Sequence, residues 1–170
     1  MKLALPWFGL TLLFAAGHAA AQSPDRRIEV ETVVNAPVEK VWETWTTCEG
    51  IKTFFARDCN IDLRVDGAFA MYFAPDAPAG SRGADHARIL AIQPNRMLSF
   101  TWDASPPGNP VRVNQTHVVL RLFPLPDNRT RVTLVNDGYG EGEDWDKAYA
   151  YLSGAWKNVL ALLQKRFARE

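Results

Sequence analysis

The final stretch, Asp144 to Ala168, constrains this chain more than any other. Trp145, Tyr149, Leu152, Trp156, Val159, Leu160, Leu163 and Phe167 recur at steps of three and four. That spacing puts them on one wide apolar stripe of an α-helix about seven turns long. Glu141, Glu143, Asp144 and Asp146 crowd its start, and Lys165, Arg166 and Arg169 its end. Both termini therefore complement the helix macrodipole. A helix with so many aromatic side chains needs a large concave apolar surface to lie in.

The preceding residues supply strands for such a surface. Ile28, Val30, Thr32 and Val34 alternate with Glu29 and Glu31, the period of a half-buried strand. Asn35-Ala36-Pro37 then ends the strand and starts a helix, with a capping Asn and Pro in the first turn. Val38, Val41, Trp42 and Trp45 form the inward stripe of that helix. A second short helix is expected from about Glu49 to Ala56, contributing Ile51, Phe54 and Phe55. Strands follow: Ile61 to Val65, turning at Asp66-Gly67 into Ala68 to Phe73; Arg88 to Ile92, turning at Pro94-Asn95 into Met97 to Trp102; and Thr116 to Phe123, turning at Pro126-Asp127-Asn128 into Arg129 to Val135. Ala74 to Gly83 and Ala104 to Pro110 read as loops. Strands joined by short turns make an antiparallel sheet. One strand, two helices, six strands and a helix (β-α-α-β×6-α) give an α+β fold, a curved sheet of about seven strands closed by the long C-terminal helix.

Residues 1–21 read as a cleavable signal peptide. Lys2 gives a positive start, Leu3 to Ala16 an apolar run, and Ala19-Ala20-Ala21 the small residues of a cleavage site. A retained anchor is the weaker alternative, because the run is short and Pro6 interrupts it. Residues 22–170 then form a single domain with its core over about 27–168, long enough for a real hydrophobic core. The balance of 19 basic and 19 acidic residues becomes a net charge of −1 once Lys2 is removed. That gives no reason to expect nucleic acid or an anionic membrane as partner, and no stable membrane insertion follows leader cleavage. The expected location is exported, periplasmic or secreted. Cys48 and Cys59, the only cysteines, favour a disulfide closing a small loop; the alternative is two buried free thiols. No His or further Cys lies near them to complete a metal site.

In order and spacing, several stretches resemble the START-related, helix-grip (SRPBCC) superfamily. Within it the chain is similar to the group related to activators of the ninety-kilodalton heat-shock chaperone ATPase (AHSA-like, polyketide-cyclase-like). The stretches are Val34 to Trp42 with Trp45-Thr46, Ile61 to Gly67, Arg88 to Trp102, Thr130 to Leu134, and the Trp-bearing final helix. The chain departs from the group in carrying Asp66-Gly67 where relatives usually have paired glycines, and in its cysteine pair and leader. The resemblance implies an interior cavity between the sheet and the last helix.

Strand parity and helix face nominate the side chains around that cavity: Phe54, Phe55, Met71, Phe73, Phe100, Trp102, Leu120, Tyr149, Leu152 and Trp156. Each also reads as ordinary core, packing against the others. The expected occupant is a small apolar or aromatic ligand, with Tyr149 and Asn136 orienting any polar end. Enzymatic signals are thin, and no catalytic residue, cofactor or metal is assigned. His86 beside Asp85 points to the opposite face of its strand, and His117 shares a face with Arg121. Neither a nucleophile elbow nor a phosphate-cradling glycine loop is present. The acidic cluster around Asp137, Glu141, Glu143, Asp144 and Asp146 lacks the alternating order of a calcium loop. An enzyme of cyclase or hydrolase type using the same cavity is the second reading, and a chaperone-like interaction module the third.

Overall fold

A computed structural model describes residues 26–168 except 104 and 107; the expected leader lies outside the described residues. The elements run β1 (Ile28–Val34), α1 (Val38–Thr46), α2 (Cys48–Ile51), β2 (Asp58–Ile61), β3 (Phe69–Tyr72), β4 (Gly83–Ala84), β5 (Ile89–Gln93), β6 (Met97–Trp102), a 3₁₀ turn (Pro110–Val113), β7 (Thr116–Leu125), β8 (Arg129–Asp137) and α3 (Glu143–Arg166). This is an α+β helix-grip arrangement. Among the described residues no helix is long and apolar enough to cross a membrane.

All strand pairs are antiparallel. Five strands form one sheet in the order β1-β8-β7-β6-β5, and three form a second in the order β2-β3-β4. The first strand thus pairs with the last, Ile28 opposite Asn136 through to Val34 opposite Thr130. β7 shows the expected alternation, with Thr116, Val118, Leu120 and Leu122 buried and His117, Val119 and Arg121 on the other face. Two of the hairpins turn on left-handed residues, Asn95 at φ 59° in one and Asp127 at 61° with Asn128 at 52° in the other. Short polar side chains tolerate that conformation best after glycine.

Seven strands rather than six follow the two helices, the extra one being the short β4 at the end of a stretch expected to be loop, and three further local expectations change. Asn35 does not cap α1: Pro37 occupies the cap position with an extended ψ of 153°, and no side chain caps the helix. The second helix is a single turn, capped by the Thr47 hydroxyl accepting from the Gly50 amide at 3.1 Å. Residues 62–67 do not extend β2 but fold into a turn, with the Arg64 amide on Asp62 O and the Gly67 amide on Arg64 O. Asp66 takes φ 61° there, and a Cβ on Gly67 would sit 2.0 Å from Asp62 O. The second position of the turn therefore requires glycine, while aspartate serves at the first. This turn interrupts the expected continuous sheet, and a lone bridge between Ala68 and Arg88 joins the two parts.

Cys48, opening α2, is disulfide-bonded to Cys59 in β2 across a Cα–Cα distance of 5.7 Å. The bond ties the helical turn to the smaller sheet. α3 buries Leu152, Trp156, Val159, Leu160 and Leu163 of the predicted stripe and lies along β1. Trp145, Tyr149 and Phe167 at the ends of the stripe are half-buried. The acidic residues at its start make ion pairs, Asp146 with Arg26, and Glu143 and Asp144 with Lys147.

Candidate functional site

The space between the sheets and α3 is filled largely by aromatic rings. Phe55 stacks on Trp102 with centroids 5.7 Å apart and planes 17° apart. Around that pair stand Trp45 at 5.6 Å and Phe73 at 5.7 Å from Phe55, and Trp156 at 5.0 Å from Trp102. Phe100 is 6.0 Å from Trp102 and itself packs on Phe69 at 4.5 Å. Phe55 follows the α2 turn, Phe73 follows β3, Trp102 ends β6 and Trp156 sits mid-way along α3. Four separated segments therefore meet at one point, all four side chains being among those expected around the cavity.

Beside this cluster lies a cleft of about 210 Å³. Of the ten expected residues, Phe55, Phe73, Trp102, Leu152 and Trp156 line it. Met71, Phe100 and Leu120 are fully buried in the core behind it. Phe54 is buried edge-on against Trp45 at 5.2 Å. Tyr149 lies away from the cleft, its hydroxyl donating to Arg27 O at 3.2 Å and its ring edge-on to Tyr139. The sequence reading missed Tyr151, Ala155, Asn158, Val159 and Leu162, which complete the lining from α3. Tyr151, Ala155, Asn158 and Leu162 recur at steps of four, three and four. This second, narrower stripe flanks the main one and was legible by the same rule.

Asn136 is a buried polar hub rather than a ligand contact. Its Oδ1 accepts from Trp156 Nε1 at 2.9 Å and from the Tyr139 hydroxyl at 2.5 Å, and its Nδ2 donates to His117 O at 2.9 Å. Burial, with help from the neighbouring Tyr149 and the Asp137 carboxylate, pushes the Tyr139 phenol far above its ordinary range. It stays a neutral donor to Asn136 at any physiological pH.

His86 and His117 do not converge on the cleft. His86 is exposed, while Asp85 beside it is half-buried with its side chain covered, and accepts from the Gly80, Arg82 and Gly83 amides and from Arg82 Nε. On the outer face, Ser99 Oγ lies 2.8 Å from His117 Nε2, and His117 Nδ1 lies 3.1 Å from Asp137 Oδ1. The order matches a hydrolytic triad, but Ser99 sits in mid-strand with β6 paired on both sides. Its backbone amides are engaged in ladders, so no oxyanion hole faces it. The three side chains form a cross-strand polar ladder. Among the described residues no group of three or more His, Cys, Asp or Glu side chains is placed to hold a metal ion.

Comparison with known proteins bears on this geometry. No curated protein sequence matches the chain. The fold is shared with protein MLL2253 from Mesorhizobium loti, at 23% identity over 83% of this chain and 96% of that one, TM-score 0.66. It is shared with CalU16 from Micromonospora echinospora, at 24% identity over 85% and 77%, TM-score 0.63. The Aha1 dimer from Colwellia psychrerythraea matches at 18% identity over 84% and 96%, also with TM-score 0.63. Identities this low speak for the fold alone. A family model described as "Activator of Hsp90 ATPase homolog 1-like protein" matches residues 35–168, which takes in all three α-helices, both sheets save β1 and every residue of the cleft. The chain therefore belongs to the Activator of Hsp90 ATPase homolog 1-like family, with the helix-grip fold of the SRPBCC superfamily.

Proposed function

We propose that this chain is an exported helix-grip domain that binds a small apolar or aromatic ligand, without covalent chemistry, in the cleft between Phe55, Trp102 and α3. The observation that carries this reading is the cleft itself. It is walled by Phe55, Phe73, Trp102, Leu152 and Trp156 and measures about 210 Å³. An apolar cavity of roughly 150 Å³ suffices for benzene, so the occupant is a single ring or a short alkyl chain. Phe55 and Trp102 put aromatic side chains on the cleft wall, a lining that suits an aromatic guest. Residues 1–21 would direct cleavage and export, and the Cys48–Cys59 bond supports an oxidising destination.

Native mass spectrometry of the protein taken from its own host's extracytoplasmic fraction tests this. A co-purifying small molecule and an intact mass lacking the leader support it. The bare full-length chain, found inside the cell with nothing bound, sinks it. The interaction-module reading is favoured by one observation: Phe73, Tyr151 and Leu162 on the cleft rim are 39%, 48% and 38% exposed, an apolar fringe that suits a protein partner as well as a guest.

A further inference from the structure

Beyond β6, three buried polar atoms stand without a hydrogen-bond partner among the described residues: Trp102 Nε1, Asp103 Oδ1 and Ser105 Oγ. Their residues line one void of about 10 Å³, with Arg112 of the 3₁₀ turn and Trp145 and Leu152 of α3. Asp103 and Ser105 are only 3% and 8% exposed. A buried polar group left unpaired keeps its full desolvation cost, so three around one space call for a shared partner. The space is about the size of a single water-sized group.

We propose that this void is the polar end of the ligand site and takes one hydroxyl group, so that the ligand is a small neutral alcohol or phenol with an aromatic or alkyl body. The inference rests on the cleft reading above, which places the body. Trp102 and Leu152 belong to the linings of both spaces, so cleft and void stand back to back across these two side chains. Trp102 Nε1 holds no partner; for one guest to reach both spaces the Leu152 side chain has to give way, while the packed Trp102 ring keeps its place.

The donors and acceptors choose the head group. Asp103 Oδ2 already accepts from the His86 amide at 3.1 Å, which leaves Oδ1 to accept a proton donor. Ser105 Oγ–H and Trp102 Nε1–H need an acceptor. A hydroxyl is both donor and acceptor. An ether or ketone oxygen leaves Asp103 unpaired, and a carboxylate is repelled by it. An ammonium gains little, because the Arg112 charge already acts on Asp103. Burial pushes the Asp103 carboxyl above its ordinary value, in keeping with a site built for a neutral guest.

Calorimetric titration of the purified exported chain with 2-phenylethanol, the isosteric benzyl methyl ether and propylbenzene tests the assignment. The alcohol should bind at least tenfold more tightly than the ether. Asp103→Leu should bring that ratio to within about twofold. Ser105→Ala, a smaller change, should lower it at least threefold and keeps the test alive if Asp103→Leu fails to fold. Equal affinity for alcohol and ether, with propylbenzene still bound, overturns the hydroxyl site and leaves the cleft reading standing: the void then holds a structural water only. A tenfold preference that both folded variants retain places the hydroxyl elsewhere and also overturns it. No binding of any of the three overturns the cleft reading and this inference with it.

Discussion

Trp156 Nε1 donates to Asn136 Oδ1 across 2.9 Å, and both residues are buried. One hydrogen bond thus pins the middle of α3 to the end of β8, inside the apolar seam between helix and sheet. Asn136→Ala would strand the Trp156 N–H and the Tyr139 hydroxyl together. The expected loss of stability is about 3 kcal/mol, read from urea denaturation. A loss below about 1 kcal/mol would show that solvent reaches the gap and that the pin is weak.

Asp85 predicts the acid limit of the fold. Burial pushes its carboxyl up, but the hydrogen bonds from Arg82 and from the Gly80, Gly83 and Arg82 amides outweigh this and hold it below the ordinary carboxylate value. A depressed folded-state value contributes stability that is present above about pH 4 and lost as pH falls through that lower value. Asp85→Asn should therefore lower the melting temperature at pH 7 and flatten the fall in stability below about pH 4. Melts that keep the wild-type acid slope in the variant would refute the assignment.

The Cys48–Cys59 bond closes a loop with a sequence separation of 11. In the chain-entropy model such a loop contributes about 3 kcal/mol. Cys48→Ser with Cys59→Ser should lose about that much, and a reducing agent should destabilise the wild type but not the double variant. Denaturant midpoints measured with and without reductant check both statements.

Ala155 lines the cleft from α3 without belonging to the aromatic cluster. Ala155→Trp should fill the space and weaken binding of a small aromatic probe by at least tenfold, while the melting temperature moves by no more than about 3 °C. Unchanged affinity would put the guest elsewhere on the molecule.

The gripping helix, the alternating strands, the order of elements and the partnership of Cys48 with Cys59 were all within reach of the amino-acid sequence alone. Each depends on spacing along the chain: three and four for α3, two for β7, a short loop between cysteines. The same rule applied to Tyr151, Ala155, Asn158 and Leu162 would have found the outer wall of the cleft. What only the tertiary structure decided is how full the interior is. Phe55, Phe73, Trp102 and Trp156 come from four separated segments, and whether their rings mesh or stand apart is set by long-range packing that no periodicity encodes. Asn136 and Tyr149 show the same limit: both were expected to face a guest, yet Asn136 is engaged by Trp156 and Tyr139, and Tyr149 by Arg27. A polar atom's partner is chosen by what the fold brings within about 3 Å of it, and that choice is made in three dimensions.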